Sequence, residues 1–286
     1  MNIIKNRKIY IMISLAVILL GLGMFLINGL NLGIDFTGGT MIQVNAGKFI
    51  PVDEAKAILD EFDKNANIIY AGANKDQIII RSTIDMSNEQ TTKIVNNFVD
   101  TFELEENNFQ TQKFGPFMGK EIRDKAVVSI IIATILMLVY ITIRFQFKFG
   151  VAAIVALIHD VLITIAIYVI FKLPVNSSFI AAILTIVGYS INDTIVVFDR
   201  IREELKLNPK ESLENIINNS IKLTLRRTIN TTATTILAVA VLYFLGVEDV
   251  KVLALPLMLG MIAGTYSSIF IASPLYYDLN KIKTAK

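Results

Sequence analysis

The sequence predicts an α-helical polytopic membrane protein with six transmembrane helices and a small α+β, ferredoxin-like extracytoplasmic domain between the first and second of them. Three observations carry this. Six apolar runs are each long enough to cross a bilayer, one long polar stretch separates the first from the other five, and Lys and Arg collect in alternate connections. Composition agrees: 53% of the 286 residues are hydrophobic and 18% charged, with a mean hydropathy of +0.57, outside the range of soluble and disordered chains alike. The absence of Cys removes disulfides, thiol catalysis and thiolate metal sites, and one His leaves little for a transition-metal centre.

The first apolar run, Ile9 to Asn28, follows Lys5, Arg7 and Lys8. It exceeds the ~7 to 15 residues of a signal-peptide core, and no small-x-small cleavage site follows, so it is expected to be a retained span. The next five runs are Ala126 to Ile143, Gly150 to Phe171, Ser178 to Val197, Thr228 to Leu245 and Val250 to Ser273. Residues 1–30 therefore form the N-terminus and first span, 31–125 the polar domain, 126–273 the remaining spans, and 274–286 a tail. The N-terminus, the Arg144 to Phe149 loop, the 199–227 connector and the tail hold 3, 2, 7 and 3 Lys or Arg residues; the opposite short loops hold only Lys172 and Lys251. By the positive-inside rule both termini are expected in the cytoplasm and the polar domain outside.

Within that domain, Thr40 to Ala46 alternates as a strand does, and Val52 to Phe62 places Val52, Ala55, Leu59 and Phe62 on one helical face. Ile68 to Ala71 and Gln77 to Ile84 suit two further strands. A second helix begins at Ser87, where Ser-Asn-Glu-Gln is a capping box, and buries Ile94, Val95, Phe98 and Phe102. Phe109 to Phe114 closes a βαββαβ order, that of a ferredoxin-like unit. No catalytic cluster accompanies it, so a binding or docking role is expected. In the 199–227 connector, Leu213, Ile216, Ile217, Ile221 and Leu225 share a face, which predicts an amphipathic helix along the inner membrane surface or a plain elbow.

The residues that carry chemistry are the polar ones inside the spans. A carboxylate in hydrocarbon is expensive, so Asp193, late in the fourth span beside Asn192, is a functional-site hypothesis by default. Tyr189 lies one turn away on the same face and is expected to be its hydrogen-bond neighbour, whereas Ser190 and Asn192 point elsewhere. The fifth span opens with Arg226 and Arg227 and carries Thr228, Thr231, Thr232 and Thr235 at helical spacing, a hydroxyl stripe that lines a wet path or glues helices. This topology brings Arg227 within reach of Asp193. An arginine beside a carboxylate favours its charged form, so their separation makes a proton switch. In the third span His159 reads as a hydrogen-bonded packing residue, with no second His to support a metal. Asp160, with Thr164 one turn on, is a second polar site open between structural pairing and ion coupling. The charged exit from the fourth span, Asp199 to Glu204, reads as a solvated anchor, and Gly260, Gly264 and Ser268 as a close-packing face of the sixth. No nucleophile and base, phosphate loop or metal cluster suggests an enzyme.

Taken together, Gly33-Ile-Asp-Phe-Thr-Gly-Gly-Thr40, Phe114 to Glu121, His159-Asp160, Gly188 to Glu203, Arg227 to Thr231 and the small-residue sixth span ending at Ser273-Pro274 resemble the motifs of SecF, in the SecD/SecF family of the resistance-nodulation-division superfamily. The resemblance covers nearly the whole chain in one order. It implies a subunit of the bacterial Sec preprotein translocase accessory complex in the cytoplasmic membrane. Such a subunit works with SecD beside the SecYEG channel on unfolded preproteins among membrane lipids, with no nucleic acid, and couples an ion gradient to late-stage export. No cofactor is implied beyond the coupling ion, a proton in the first place and sodium as the alternative. By that resemblance Asp193 falls on the intramembrane acid and Arg227 on the conduction-related arginine, with Asn192, Asp160, Tyr189 and Thr231 around them. Gly33, Asp35, Gly38, Gly39, Gly115 and Gly119 are expected as hinges at the base of the external domain, and Gly188, Gly260 and Gly264 as packing positions. The alternatives are an ion-driven exporter of small molecules or lipids in the same superfamily, which is expected to carry a larger external domain, and a passive scaffold of the translocon.

Overall fold

The computed structural model describes residues 2–72 and 75–284, so the last two residues of the expected 274–286 tail lie outside the described residues. Six helical segments are long and apolar enough to cross a membrane. The first, α1 (Ile3–Asn28), starts a turn and a half before the apolar run because its basic beginning has partners. Asn218 accepts the backbone N–H groups of Ile3 and Ile4 at 3.0 and 3.3 Å, two of the orphan donors of a helix start, and Arg7 pairs with Asp278 at 2.9 Å.

The polar stretch folds as expected in type. After a short helix α2 (Ile34–Thr37) come β1 (Gly39–Asn45), α3 (Val52–Leu59), β2 (Asn67–Ala71), β3 (Gln77–Ser82), α4 (Asn88–Phe102) and β4 (Phe109–Phe114). All pairings are antiparallel in the order β2-β3-β1-β4, with Ile42 opposite Ile80 on one side and Thr111 on the other. The two-residue period puts Ile42, Val44, Ile78 and Ile80 on the face covered by Ala55 and Leu59 of α3 and by Ile94 and Phe98 of α4, all at most 1% exposed. Each large apolar side chain so buried contributes about 1.5–3 kcal/mol against the ordering entropy of a small domain. The Ser87 capping box forms with Gln90 and fixes the start of α4. The edge strand β4 shows Gln110, Thr111, Gln112 and Lys113 to solvent, a polar edge that resists pairing with other sheets.

Helix α5 (Pro116–Arg144) then runs unbroken through the expected boundary at 125, its proline at the first turn where the missing N–H costs nothing. Helices α6 (Phe147–Ile170), α7 (Ser177–Leu207) and α8 (Leu213–Leu245) follow. The last span is composite: α9 (Glu248–Ser267) passes into a π-helical turn, Ser268–Ala272, and continues as α10 (Ser273–Thr284). Half of the spanning window is buried in α6, α7 and this last segment, against 11% in α1, α5 and α8, so the former are the core of the bundle and the latter its rim.

Of the two readings of the connector, the structure has the plain elbow and not the surface helix. No separate helix lies along a membrane surface: α7 continues to Leu207 and α8 begins at Leu213, so 199–227 is an extension of both spans with a short turn between. The amphipathic face is real, but Ile217 and Ile221 spend it in one buried cluster with Ile3, Ile4, Phe198 and Ile201, and Ile216 is buried as well. Burial in the bundle competes with burial in lipid headgroups, and α1 supplies the nearer apolar surface.

Candidate functional site

Asp193, 2% exposed, is held between three helices. Its Oδ2 accepts Thr232 Oγ1 of α8 at 3.2 Å and Thr265 Oγ1 of α9 at 3.3 Å, and the two hydroxyls are 2.7 Å apart. Its Oδ1 takes no hydrogen bond from a described residue. Arg227 is exposed and makes no ion pair among the described residues. α8 turns the Thr228–Thr232 face, and not Arg227, toward α7, so the two charged groups make no direct contact. Thr228, one turn before Thr232 and 2% exposed, has a buried hydroxyl without a partner.

Several expectations are redistributed. The Tyr189 hydroxyl reaches Thr235 at 3.3 Å and not the carboxylate, since a phenol one turn toward the domain end overshoots its neighbour on the same helix. Thr231 offers its carbonyl to the hydroxyls of Thr234 and Thr235. Asn192 and Gly188 lie exposed on the outer side of α7; a Cβ at Gly188 meets nothing within 4 Å, so within this chain it packs no helix. Gly260 and Gly264 do: a Cβ there would stand 2.2 Å from Ile186 and 2.9 Å from Ser190, so bare backbone lets α9 lie on α7.

Asp160 belongs to a second knot. Fully buried, its Oδ2 accepts Ser190 Oγ at 2.5 Å and Ser267 Oγ at 2.9 Å, while Oδ1 faces His159 Nδ1 at 2.9 Å. Ser190 therefore does not point idly elsewhere. Thr164 bonds the Asp160 carbonyl at 2.8 Å and leaves the carboxylate alone. Sequence reasoning missed Thr265, Ser190 and Ser267 as partners; the only signal was the cluster of small residues around Gly264. Among the described residues no group of three or more His, Asp or Glu gathers to hold a metal.

The base of the sheet domain is stitched to the start of α7. Gly33 N–H donates to the Val175 carbonyl at 2.7 Å, Val175 N–H to the Asn31 carbonyl at 2.8 Å, and Asn31 Nδ2 to the Lys172 carbonyl at 2.9 Å. The Asp35 carboxylate accepts the N–H of Ser177, the first residue of α7, at 2.8 Å, a negative charge at the positive end of the helix carrying Asp193. Gly33 and Gly119 are close-approach positions and not free hinges: Gly33 has an ordinary φ of −71°, and a Cβ at Gly119 would stand 2.4 Å from the Phe36 carbonyl. Gly38 and Gly39 hold φ of +77° and +141°, and a Cβ at Gly39 would stand 2.1 Å from the Ser82 carbonyl. Gly115, with φ −70° and open space around it, has neither constraint.

The family model "Protein export membrane protein SecD/SecF, C-terminal" matches residues 93–282, and the SecD/SecF GG motif model matches residues 23–48. The chain is 38% identical over 292 residues to a protein translocase subunit SecF of Petrotoga mobilis, covering 98% of this chain and 96% of that one. It is 40% identical over 276 residues to the corresponding subunit of Desulfurispirillum indicum, covering 92% and 85%. Among solved structures, a Thermus SecDF described as a translocon-associated membrane protein superposes with TM-score 0.83 at 33% identity over 98% of this chain. A SecDF in a super-membrane-facing form gives TM-score 0.75 at 32% identity over 100%. The chain spans 39% of the length of each SecDF chain.

Proposed function

The chain belongs to the SecD/SecF family of protein export membrane proteins, and on that premise we propose that it is a SecF-type translocase subunit that spends an ion gradient on late steps of export. The observation that carries this reading is Asp193, a buried carboxylate on a membrane-spanning helix with one oxygen held by hydroxyls and no ion pair among the described residues. Such a group is costly unless it serves an ion path. A proton, or sodium in its place, binds the oxygen that Thr232 and Thr265 leave open, and the orphaned Thr228 hydroxyl offers the next step along α8 toward Arg227. The charge of Arg227 competes with the ion for Asp193, so the ion's departure is tied to the position of α8.

The stitch at Asp35 and Gly33 supports the coupling, because α7 cannot move at its domain end without carrying residues 31–36 and the sheet domain above them. One charge crossing the membrane supplies about 2.3 kcal/mol per 100 mV, comparable to remaking two or three such hydrogen bonds. The sheet domain faces the outside and both termini the cytoplasm, by the Lys and Arg distribution. A SecD partner accounts for the rest of the length in the SecDF chains. It also accounts for the exposed polar positions Thr185 and Asn192 on α7 and Asn230 and Thr234 on α8, which lipid solvates poorly. The SecYEG channel and unfolded preproteins on the outer side complete the reading.

The test is export of a secreted precursor into inverted vesicles bearing matched amounts of this chain or its Asp193→Asn variant with SecD. The expected result is a gradient-dependent increment present with the native chain and absent with Asp193→Asn. An equal increment in both contradicts the proposal.

A further inference from the structure

Away from the ion path, two arginines meet on one aromatic ring at the end of the bundle opposite the sheet domain. We propose that this junction of α5 and α7 is a binding site for an anionic phospholipid, with the lipid phosphate between the guanidiniums of Arg144 and Arg202 and an acyl chain along the exposed face of α5.

The ring belongs to Phe145, the residue that ends α5. Its N–H closes the helix on the Ile141 carbonyl at 2.7 Å, and its side chain is buried edge-to-face against Phe149, ring centres 6.1 Å apart. A ring so held is a rigid platform. The guanidinium of Arg144 lies 5.5 Å from its centre and that of Arg202 5.1 Å, both within cation–π range. Arg202, on the extension of α7, is positioned further by donating to the Arg144 carbonyl at 3.3 Å and to the Asp199 carboxylate at 2.8 Å. Two positive charges therefore share one ring, and Asp199 answers one of them. Arg144 is exposed and has no ion pair among the described residues, so its guanidinium donors are available to a ligand. Arg200, two residues before Arg202 and on the far side of α7, is matched by Glu203 and Glu204 and adds no charge to the site.

The surroundings of the two arginines call for a lipid. Arg144 is the last residue of a membrane span, which puts its side chain at the level of the headgroups. Leu136 and Tyr140 precede it at one-turn steps on the same face, with Ile143 beside them, and all three are exposed on a rim helix. An apolar stripe thus runs up α5 to the guanidinium. A ligand that meets both parts has a negative head and an aliphatic tail. Guanidinium forks match phosphate oxygens two at a time, and basic positions between spans take anionic headgroups in this way. A zwitterionic lipid carries its own ammonium to the arginines and loses most of the attraction; phosphatidylglycerol carries none. The site requires only that α5 and α7 cross a bilayer and is independent of ion coupling at Asp193.

The chain has no Trp, so one introduced indole reports on this site alone. Ile143, 82% exposed beside Arg144, is replaced as Ile143→Trp in the full-length protein, which is reconstituted in vesicles of phosphatidylcholine and phosphatidylglycerol with each lipid brominated in turn. The ratio of the two quenching curves gives the relative affinity of the lipids at the indole. With both arginines present the expected result is a preference for phosphatidylglycerol of about fivefold or more. Arg144→Gln together with Arg202→Gln is expected to bring the ratio close to one, as is Leu20→Trp, an exposed control position in the middle of α1. Arg144→Lys together with Arg202→Lys keeps the charge and the topology but removes the forks, and most of the preference is expected to go with them. Equal quenching by the two lipids with both arginines present, or a preference unchanged in the glutamine pair, overturns the site. A full preference in the lysine pair also overturns it, in favour of diffuse surface charge. A preference abolished by millimolar inorganic phosphate, and not by chloride at the same ionic strength, overturns the lipid in favour of a soluble anion.

Discussion

At the scale of single residues, the buried polar contacts between the spans rest on hydroxyls as much as on carboxylates. Asp193 was legible in the sequence because a carboxylate in an apolar run has few bland explanations. Its partners were not, since Thr232 and Thr265 come from helices 39 and 72 residues away and no local spacing announces them. The same applies to Ser190 and Ser267 around Asp160. Tyr189 and Asn192, the polar residues nearest Asp193 in the chain, turn out to serve Thr235 and the outer face. Sequence proximity along a helix is a poor guide once three helices meet. A hydrogen bond to a charged group contributes about 1.5–3 kcal/mol, so Thr232→Val is expected to reduce gradient-dependent export about tenfold or more while the complex accumulates normally. Thr228→Val fills the same volume where the hydroxyl has no partner, and the expectation there is unchanged complex levels with a smaller, several-fold loss of the increment. Quantifying export against complex recovered from the same membranes separates the two effects.

At the scale of elements, what the sequence conveyed was periodicity, and what it withheld was where periodic segments stop. The four strands and two helices of the sheet domain were readable to within a residue or three, because alternation and a capping box are local signals. Helix ends were not: α1, α5 and α7 overrun their apolar stretches, since Asn218 and Asp278 stabilise charged turns of α1 that hydropathy treats as loop. The short helix α2 and the π turn depend on tertiary contacts and left no readable pattern. Glycines follow the same division. Their number in the 33–39 and 115–119 motifs suggested hinges, whereas Gly119 is needed for contact with the Phe36 backbone. Gly119→Ala is accordingly expected to push α5 from α2 and destabilise that junction by about 1–3 kcal/mol, whereas Gly115→Ala is expected to stay within about 0.5 kcal/mol. Thermal unfolding of the two purified variants in detergent distinguishes them.

At the scale of the whole molecule, a buried core of α6, α7 and the last span carries both polar knots, and a sheet domain is fastened to the end of α7 through Asp35, Gly33 and Asn31. In the proposed mechanism, ion occupancy at Asp193 moves this domain by way of that helix. The absence of Cys makes a direct measurement simple, as spin labels can be placed at Asn96→Cys on exposed α4 and Lys206→Cys at the far end of α7. Distances between them are read by pulsed electron resonance in proteoliposomes containing the SecD partner, with and without an ion gradient. The expected result is a gradient-dependent shift of several Å, on the order expected for domain rearrangements, in the native chain and a fixed distance in Asp193→Asn. The same shift in both proteins, or none in either, contradicts it.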